Sequence, residues 1–203
     1  MRDLEIRREL YRTVLSQHCS DAATRVIDEL GICEGQARID LAVVNGQISG
    51  FEIKSEHDTL ARLPHQIDMY GRVFDNVTIV CGARYVDRIL QIVPDWWAVL
   101  AADRGATGIC LREIRLGAQN TGIDGLAVAQ LLWRAETLAI LQHLNRSRGL
   151  SSVPRARLWK ELVANLPLLE LCAVVRDQLK RREDWRAAPS QPRDDDWCLQ
   201  SAT

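Results

Sequence analysis

The segment ARIDLAVVNGQISGFEIKS, residues 37–55, predicts two β-strands joined by a tight turn. Ile, Val, Leu and Phe dominate both halves, and the Asn-Gly dipeptide between them is a strong hairpin signal. Three charged residues nevertheless lie inside these apolar strands, Asp40 in the first and Glu52 and Lys54 in the second. Because burying an unpaired charge is costly, these residues require either partners or a function.

The register of this hairpin decides whether the three charges share one face of the sheet. A two-residue loop would leave Asp40 and Glu52 on opposite faces. A three-residue loop over 45–47 pairs the two carboxylates directly and adds Lys54 to their face. We expect this second register because it gathers the apolar side chains on the other face, and a slip of one residue would invert every side chain. The expected apolar face comprises Ile39, Leu41, Val43, Phe51 and Ile53.

The charged face has the composition of a divalent-metal site. Two carboxylates placed opposite each other repel, and a cation between them would reverse that interaction. Mg²⁺ prefers oxygen ligands and commonly binds one or two carboxylates together with substrate phosphates. Lys54 could there hold an attacking water or stabilise charge on a phosphate, and Gly50 would let a ligand approach the backbone. The alternative is a buried cluster of Asp, Glu and Lys that only neutralises itself.

Composition and charge favour a globular protein of the cytoplasm. The 203 residues are 47% hydrophobic and 26% charged, which suits one domain with a sizeable core and a small appendage. Residues 134–186 hold 11 Lys/Arg against 6 Asp/Glu, a net charge of +5, whereas residues 1–133 hold 14 against 18, a net charge of −4. The six cysteines are scattered without a CxxC pair, which indicates a reducing compartment, and no apolar stretch approaches membrane-spanning length.

The pattern along the chain predicts a mixed α/β core followed by helices. We expect helices at 3–17 and 20–30, the hairpin, and then alternating helices and strands to about residue 120, in the order ααββαβαββ. These later elements are helices at 64–74 and 83–93 and strands at 76–82, 96–102 and 107–114. Further helices are expected near 124–132, 135–145, 154–164 and 167–182. The expected units are therefore a core over 1–120, a basic helical bundle over 121–186 and a disordered tail over 187–203.

The pattern D-x11-E-x-K on a hairpin resembles the PD-(D/E)xK nuclease superfamily. Glu29, on the helix expected before the hairpin, matches the extra helical acid of many members, and Gln66 with Tyr70 matches the QxxxY motif of the RecB-like branch. Residues 51–80 are also similar to the sce7726 family of small bacterial proteins. The later segments LLWRAETLAIL and RREDWR extend that similarity to about residue 186. The Pro-Asp dipeptide of the superfamily's name is absent, since Ile precedes the aspartate.

This resemblance implies a restriction-endonuclease-like mixed central sheet flanked by helices, and metal-dependent cleavage of phosphodiester bonds, usually in DNA. The implied cofactor is Mg²⁺, with Mn²⁺ as an alternative. The implied roles divide the residues into three groups. The metal ligands would be Asp40, Glu52, the Ile53 carbonyl and, directly or through water, Glu29. Lys54 would position water, and Gln66 would orient water or Lys54. Tyr70 would contact the phosphate backbone. Arg62, on the polar loop after the site, is a further candidate phosphate contact. The alternatives are packing for Tyr70 and simple exposure for Gln66.

The C-terminal segment has helix-turn-helix proportions and a basic face. Its cations could meet phosphates, and in particular we expect Lys180, Arg181 and Arg182 to supply affinity for nucleic acid. The other candidates are Arg155, Arg157, Lys160 and Arg176. The alternative is a helical cap packed on the core, whose basic face is only solvated.

Three functional classes follow from the sequence. The first is a Mg²⁺-dependent nuclease that acts on DNA in the cytoplasm, with a homodimer left open. The second is a non-catalytic nucleic-acid-binding or regulatory protein on a nuclease fold. The third is a protein-interaction module, such as a phage or defence component. The complete set of Asp40, Glu52 and Lys54 favours the first, because an inactive descendant could lose any of these residues.

Overall fold

The computed structural model describes residues 1–106 and 108–182. Its centre is a six-stranded mixed sheet in which the spatial order of the strands follows the chain. Strands β3, β4 and β5 run parallel to one another, and the remaining neighbours are antiparallel. The strands are β1 (Arg25–Ile32), β2 (Ala37–Val44), β3 (Ile48–Lys54), β4 (Asn76–Gly82), β5 (Ala98–Gly105) and β6 (Gly108–Arg115). The α/β class with a mixed sheet and flanking helices is therefore confirmed.

Helices cover both faces of this sheet. Helix α1 packs on one face through Ile6 and Leu10, which are one turn apart and fully buried. Helices α3 to α8 contribute to the hydrophobic cluster on the other face. The helices are α1 (Asp3–Arg12), α2 (Ser16–Ser20), α3 (Leu63–Gly71), α4 (Val86–Ile92), α5 (Gly125–Ala129), α6 (Arg134–His143), α7 (Arg155–Asn165) and α8 (Leu168–Arg181). No helix among residues 1–106 and 108–182 is long and apolar enough to cross a membrane.

The three-residue register of the hairpin is confirmed. Val44 lies opposite Ile48 and Leu41 opposite Phe51, so the loop comprises residues 45–47. Most of the expected apolar face is also confirmed, because Leu41, Phe51 and their neighbours Val43 and Ile53 pack together under α1.

Ile39 departs from this face. It is fully buried in the cluster on the opposite side of the sheet, and a Cβ atom added to Gly50 would lie 2.3 Å from its Cδ1. Gly50 therefore makes room for the packing of Ile39 and Phe74, and the expected approach of a ligand there is wrong. The alternation of side chains between the two faces of the sheet is interrupted beside the Leu30–Ile39 pair, where Glu29 of β1 has a φ of 56°. A residue in the left-handed region changes the face on which the neighbouring side chains of an extended strand lie.

The expected helix over 20–30 is wrong. The short helix α2 ends at Ser20, and the chain then enters β1, which pairs with β2 from Arg25 to Ile32. The segment RVIDELGI carries apolar residues at spacings that suit either structure, and pairing with the neighbouring strand decides the outcome. Glu29 consequently lies on a strand, and the first helix ends at Arg12 instead of residue 17.

The other expected elements are confirmed within a few residues, including the four C-terminal helices. Trp97 is fully buried, and one continuous hydrophobic cluster joins the sheet to the bundle through residues such as Leu158 and Leu171. The boundary near residue 120 stays a prediction. The tail expected over 187–203 lies outside the described residues.

Candidate active site

Three elements bring the charged residues of the hairpin together with two residues of α3. Strand β2 carries Asp40, strand β3 carries Glu52 and Lys54 two positions apart, and α3 carries Gln66 and Tyr70 one turn apart. Pro64 lies in the first turn of α3, where its missing N–H costs nothing. The helix thereby starts at the end of β3 that carries the charges, and its inner face reaches Glu52.

Glu52 is the centre of this arrangement. It is only 3% exposed, and its two oxygens accept three hydrogen bonds. Oε1 accepts from Lys54 Nζ at 2.6 Å and from Gln66 Nε2 at 2.6 Å, and Oε2 accepts from the Tyr70 hydroxyl at 2.6 Å. The Gln66 amide oxygen also accepts from Lys54 Nζ at 3.0 Å. Each buried polar group therefore has partners, which such a desolvated charge requires.

Tyr70 lies inside the protein, and its expected contact with a nucleic-acid backbone is wrong. The residue is fully buried, its ring stacks on Trp97 with centroids 6.0 Å apart, and its hydroxyl lies 2.8 Å from the Arg38 carbonyl oxygen. Burial, and then the charge of Glu52, raise the pKa of Tyr70 above its ordinary value. The hydroxyl therefore remains protonated and donates to Glu52. The QxxxY spacing correctly predicted that Gln66 and Tyr70 lie on the same face of α3. How deeply that face is buried depends on the sheet packed against it, and the spacing does not predict this.

Asp40 is close to Glu52 and less buried. Its side chain is 23% exposed, and its Oδ2 accepts a hydrogen bond from the Ile53 amide across the hairpin at 2.7 Å. Burial, and then the negative charge of Glu52, raise the pKa of Asp40 from its ordinary value to about 7. The expected convergence of the two carboxylates is thus present. The proposed role of the Ile53 carbonyl as a metal ligand stays a prediction.

Helix α1 places Arg7, a residue that the sequence pattern did not identify, against the carboxylates. Its guanidinium donates to Asp28 Oδ1 at 2.9 Å, to the Asp40 carbonyl at 3.0 Å and to Glu29 Oε1 at 2.8 Å. It also lies 3.7 Å from Asp40 Oδ1. Burial would lower the pKa of Arg7, but Asp3 and the other surrounding carboxylates raise it above its ordinary value. No local motif marks this residue, because its hydrogen-bond partners are far away along the chain.

Glu29 does not fit the role of a metal ligand on a helix. Besides Arg7, its carboxylate binds the Arg38 guanidinium, with 2.7 Å between Glu29 Oε2 and Arg38 Nε. Two arginines therefore hold its two oxygens, and its backbone is in the left-handed region. The expectation of a helical acid fails because the segment is a strand.

A cleft of about 410 Å³ opens onto the two carboxylates. Asp40, Glu52 and Gln66 line it together with residues of the β1–β2 connection and of the loop before α3. The cations on its wall are Arg38 and Arg62, and the Arg62 side chain is exposed. Arg62 is therefore placed where a phosphate contact was expected.

The donor set fits a cation with few protein ligands. Within the described part of the chain, no group of three or more His, Cys, Asp and Glu side chains could hold a metal ion. Asp40 and Glu52 form a pair that suits Mg²⁺ when water and phosphate oxygens complete its coordination shell. The upward shift of the Asp40 pKa shows that negative charge at this position is unfavourable, and a bound cation would relieve it.

The three cations expected at the end of α8 differ from one another. Arg182 is buried, so its expected contact with nucleic acid is wrong. Its guanidinium donates to both carboxylate oxygens of Glu136, at 2.7 and 2.6 Å, and lies 4.1 Å from the centre of the Trp133 ring. Arg181 is exposed, and Lys180 lies 3.4 Å from Asp177. Their role in binding nucleic acid stays a prediction.

Comparison with known proteins gives one family and two individual matches. The profile of a family described as Bacteriophage P4 protein cII matches residues 2–187. Protein cII of Enterobacteria phage P4 is 26% identical over 141 residues, which cover 70% of this chain and 53% of the relative, so the match spans about half of that protein. A solved structure of a protein of unknown function from Silicibacter pomeroyi covers 71% of this chain and 94% of its own, with 18% identity and a TM-score of 0.41. The resemblance to the sce7726 family stays a prediction.

Proposed function

The chain belongs to the Bacteriophage P4 protein cII family, and from the residues of its cleft we propose that it hydrolyses phosphodiester bonds in nucleic acid, most readily in DNA. One observation carries the proposal. Asp40, Glu52 and Gln66 line a single cleft, and Lys54 is held between Glu52 and Gln66. Two adjacent carboxylates can hold a metal ion that stabilises charge on a phosphate, and an ammonium group beside them can add to that stabilisation.

Asp40 and Glu52 would hold Mg²⁺, or Mn²⁺ in its place, with the Ile53 carbonyl as a further oxygen. When bound, such an ion stabilises negative charge on a phosphate and makes a water molecule more acidic. Binding of the metal ion requires ionised Asp40, and the pKa of about 7 means that this carboxyl ionises near neutral pH.

In this proposal Lys54 would orient a water molecule or a phosphate oxygen. An ammonium group has three N–H donors, and the hydrogen bonds to Glu52 and Gln66, at 2.6 and 3.0 Å, occupy two of them. The third donor is then directed by the first two. Gln66 fixes this orientation, because its amide nitrogen donates to Glu52 while its amide oxygen accepts from Lys54. Donors that are already in place at the start of a reaction stabilise developing charge without reorganisation.

Tyr70 acts in this proposal as a positioning residue. Its hydroxyl holds Glu52 Oε2 from below, at 2.6 Å, and the packing of its ring in the core fixes the hydroxyl. Arg62, exposed on the wall of the cleft, is placed to contact a phosphate that flanks the reacting one.

Cleavage assays with the full chain test the proposal directly. Linear, circular and single-stranded DNA would be incubated with Mg²⁺, Mn²⁺ or EDTA, and the products resolved on gels. We expect cleavage that requires the metal, and Asp40→Asn, Glu52→Gln and Lys54→Met should each lower the rate by about 10²–10³-fold. Glu113→Gln, at an exposed position of β6, is the matched control. Equal rates in all four variants would overturn the assignment of the site.

A second candidate is a non-catalytic nucleic-acid-binding or regulatory protein on the same fold. Its structural support is that both Glu52 oxygens already have protein donors, with Lys54 as an internal counter-ion. The family match supports this candidate better than the first, because the relative is named protein cII of a phage and is not named for a catalytic activity. Calorimetry with Mg²⁺ alone separates the two, since this candidate requires no metal binding and the nuclease does.

A further inference from the structure

The positive charge of the bundle is concentrated in its first half. Residues 134–160 hold six Lys/Arg and one Asp/Glu, whereas residues 161–186 hold five of each. The whole net charge of +5 therefore belongs to α6, the loop that follows it and the first half of α7. The six cations are Arg134, Arg146, Arg148, Arg155, Arg157 and Lys160.

Helix α7 begins next to the wall of the cleft. The guanidinium of Arg155, its first residue, lies 3.5 Å from Glu34 Oε1 and 4.5 Å from the centre of the Trp159 ring. Glu34 belongs to the turn that connects β1 to β2, and the next two residues, Gly35 and Gln36, line the cleft. A chain that leaves the cleft over this turn consequently meets the start of α7.

The cations of α7 are available to a ligand. The side chains of Arg155 and Arg157 are 46% and 63% exposed, and Lys160 is exposed three positions further along the outer face. On the cleft side of the turn, Arg38 is 63% exposed and Arg62 is exposed as well. Basic side chains thus continue from the cleft onto the helix.

We propose that α7 is the nucleic-acid-binding element of the bundle, and that the backbone passes from the cleft over residues 33–36 onto Arg155, Arg157 and Lys160. This inference rests on the proposed action at the cleft, because it needs a polyanion that starts there. It replaces the end of α8 as the expected binding surface. An extended phosphate backbone is the ligand that suits separated exposed cations, since each contact releases condensed counterions.

Two triple variants with the same change of charge test this inference. The first is Arg155→Gln/Arg157→Gln/Lys160→Gln, and the control is Arg176→Gln/Lys180→Gln/Arg181→Gln on α8. Fluorescence anisotropy with labelled duplex DNA would give affinities at several salt concentrations in EDTA, where binding is separated from cleavage. Log affinity against log salt should become shallower by about 0.9 for each lost contact, or about 2.7 in the first variant, and should keep its slope in the control.

A charge-conserving variant, Arg155→Lys/Arg157→Lys/Lys160→Arg, should retain the slope, which excludes loss of folding as the cause. An unchanged slope in the first variant, or an equal loss in both triple variants, would overturn the inference. If the wild type cuts DNA in that case, the proposed function stands and only the path over α7 is wrong. Failure of the wild type to bind single-stranded or duplex DNA would overturn both.

Discussion

Two buried ion pairs lie in different regions of this molecule, Lys54–Glu52 at the cleft and Arg182–Glu136 in the bundle. Both have a closest N–O distance of 2.6 Å and side chains that are at most 14% exposed. The bundle pair is balanced, and it ties the end of α8 to the start of α6 with a further hydrogen bond to the Leu131 carbonyl. The cleft pair has the partly desolvated carboxyl of Asp40 beside it.

This difference teaches that burial and bond length do not separate a structural ion pair from a functional one. Under the proposed function, the two pairs are separated by the additional carboxyl beside the cleft pair and by its access to the cleft. Under the proposed function, the additional carboxylate beside the cleft pair would attract a cation and, through it, a phosphate. The comparison leads to three experiments, in which the expected effects decrease from the first to the third.

The bundle pair should matter for stability alone. Arg182→Met leaves Glu136 buried without its cation, and breaking such a pair lowers the free energy of unfolding by about 3–5 kcal/mol. Urea denaturation followed by circular dichroism would measure it, with Arg181→Met as the exposed control. Arg182→Met/Glu136→Gln should recover most of the loss, and the folded fraction should bind and cut DNA normally. Lost cleavage in this double variant would mean that the two pairs are coupled.

The cleft pair should respond differently to the same treatment. Lys54→Met/Glu52→Gln removes both charges, so the free energy of unfolding should stay closer to that of the wild type than in Lys54→Met alone. Cleavage, in contrast, should remain reduced by about 10²–10³-fold, which corresponds to about 2.7–4 kcal/mol of barrier. Activity that returned with stability in the double variant would assign this pair to structure, as in the bundle.

The smallest effect concerns the additional carboxyl. Asp40 has a pKa of about 7 in the folded protein and an ordinary value of 3.8 when unfolded, so the folded state binds more protons between these values. Its contribution to stability is therefore complete below about pH 4 and is lost as the pH rises through 7. Each pH unit between the folded and unfolded pKa corresponds to about 1.4 kcal/mol of the free energy of unfolding. Solvent screening of the partly exposed side chain reduces the expected contribution of Asp40 to about 2 kcal/mol.

Urea denaturation of wild type and Asp40→Asn at about pH 5 and pH 8 measures this dependence. The wild type should lose about 2 kcal/mol more than the variant between the two conditions. Asp87→Asn, on helix α4, is the control. Identical pH profiles for wild type and Asp40→Asn would show that the Asp40 carboxyl is not perturbed.

The sequence predicted what depends on neighbours along the chain. The hairpin register follows from alternating apolar residues and a short loop, and it placed Asp40, Glu52 and Lys54 together. The spacing of Gln66 and Tyr70 on α3 likewise placed both residues on one side of the helix. These features are local, and they account for most of the site.

The failures concern contacts between distant segments. The segment around Glu29 suits a helix or a strand, and only its pairing with β2 decides between them. Arg7 carries no motif, because its hydrogen-bond partners are 21 to 33 residues away. Arg182 belongs to a basic run that is typical of a solvated surface, yet Glu136, 46 residues earlier, holds it inside the bundle. Periodicity contains no information about such pairs.

The stack of Tyr70 on Trp97 has a spectroscopic consequence. The same phenol that holds Glu52 lies against an indole ring in the core, with the two planes 14° apart. Excited indole is sensitive to the polarity and charge around it, so Trp97 can report a change at Glu52 without any label. The fold thereby includes an optical probe behind the cleft, on the side that a ligand does not reach.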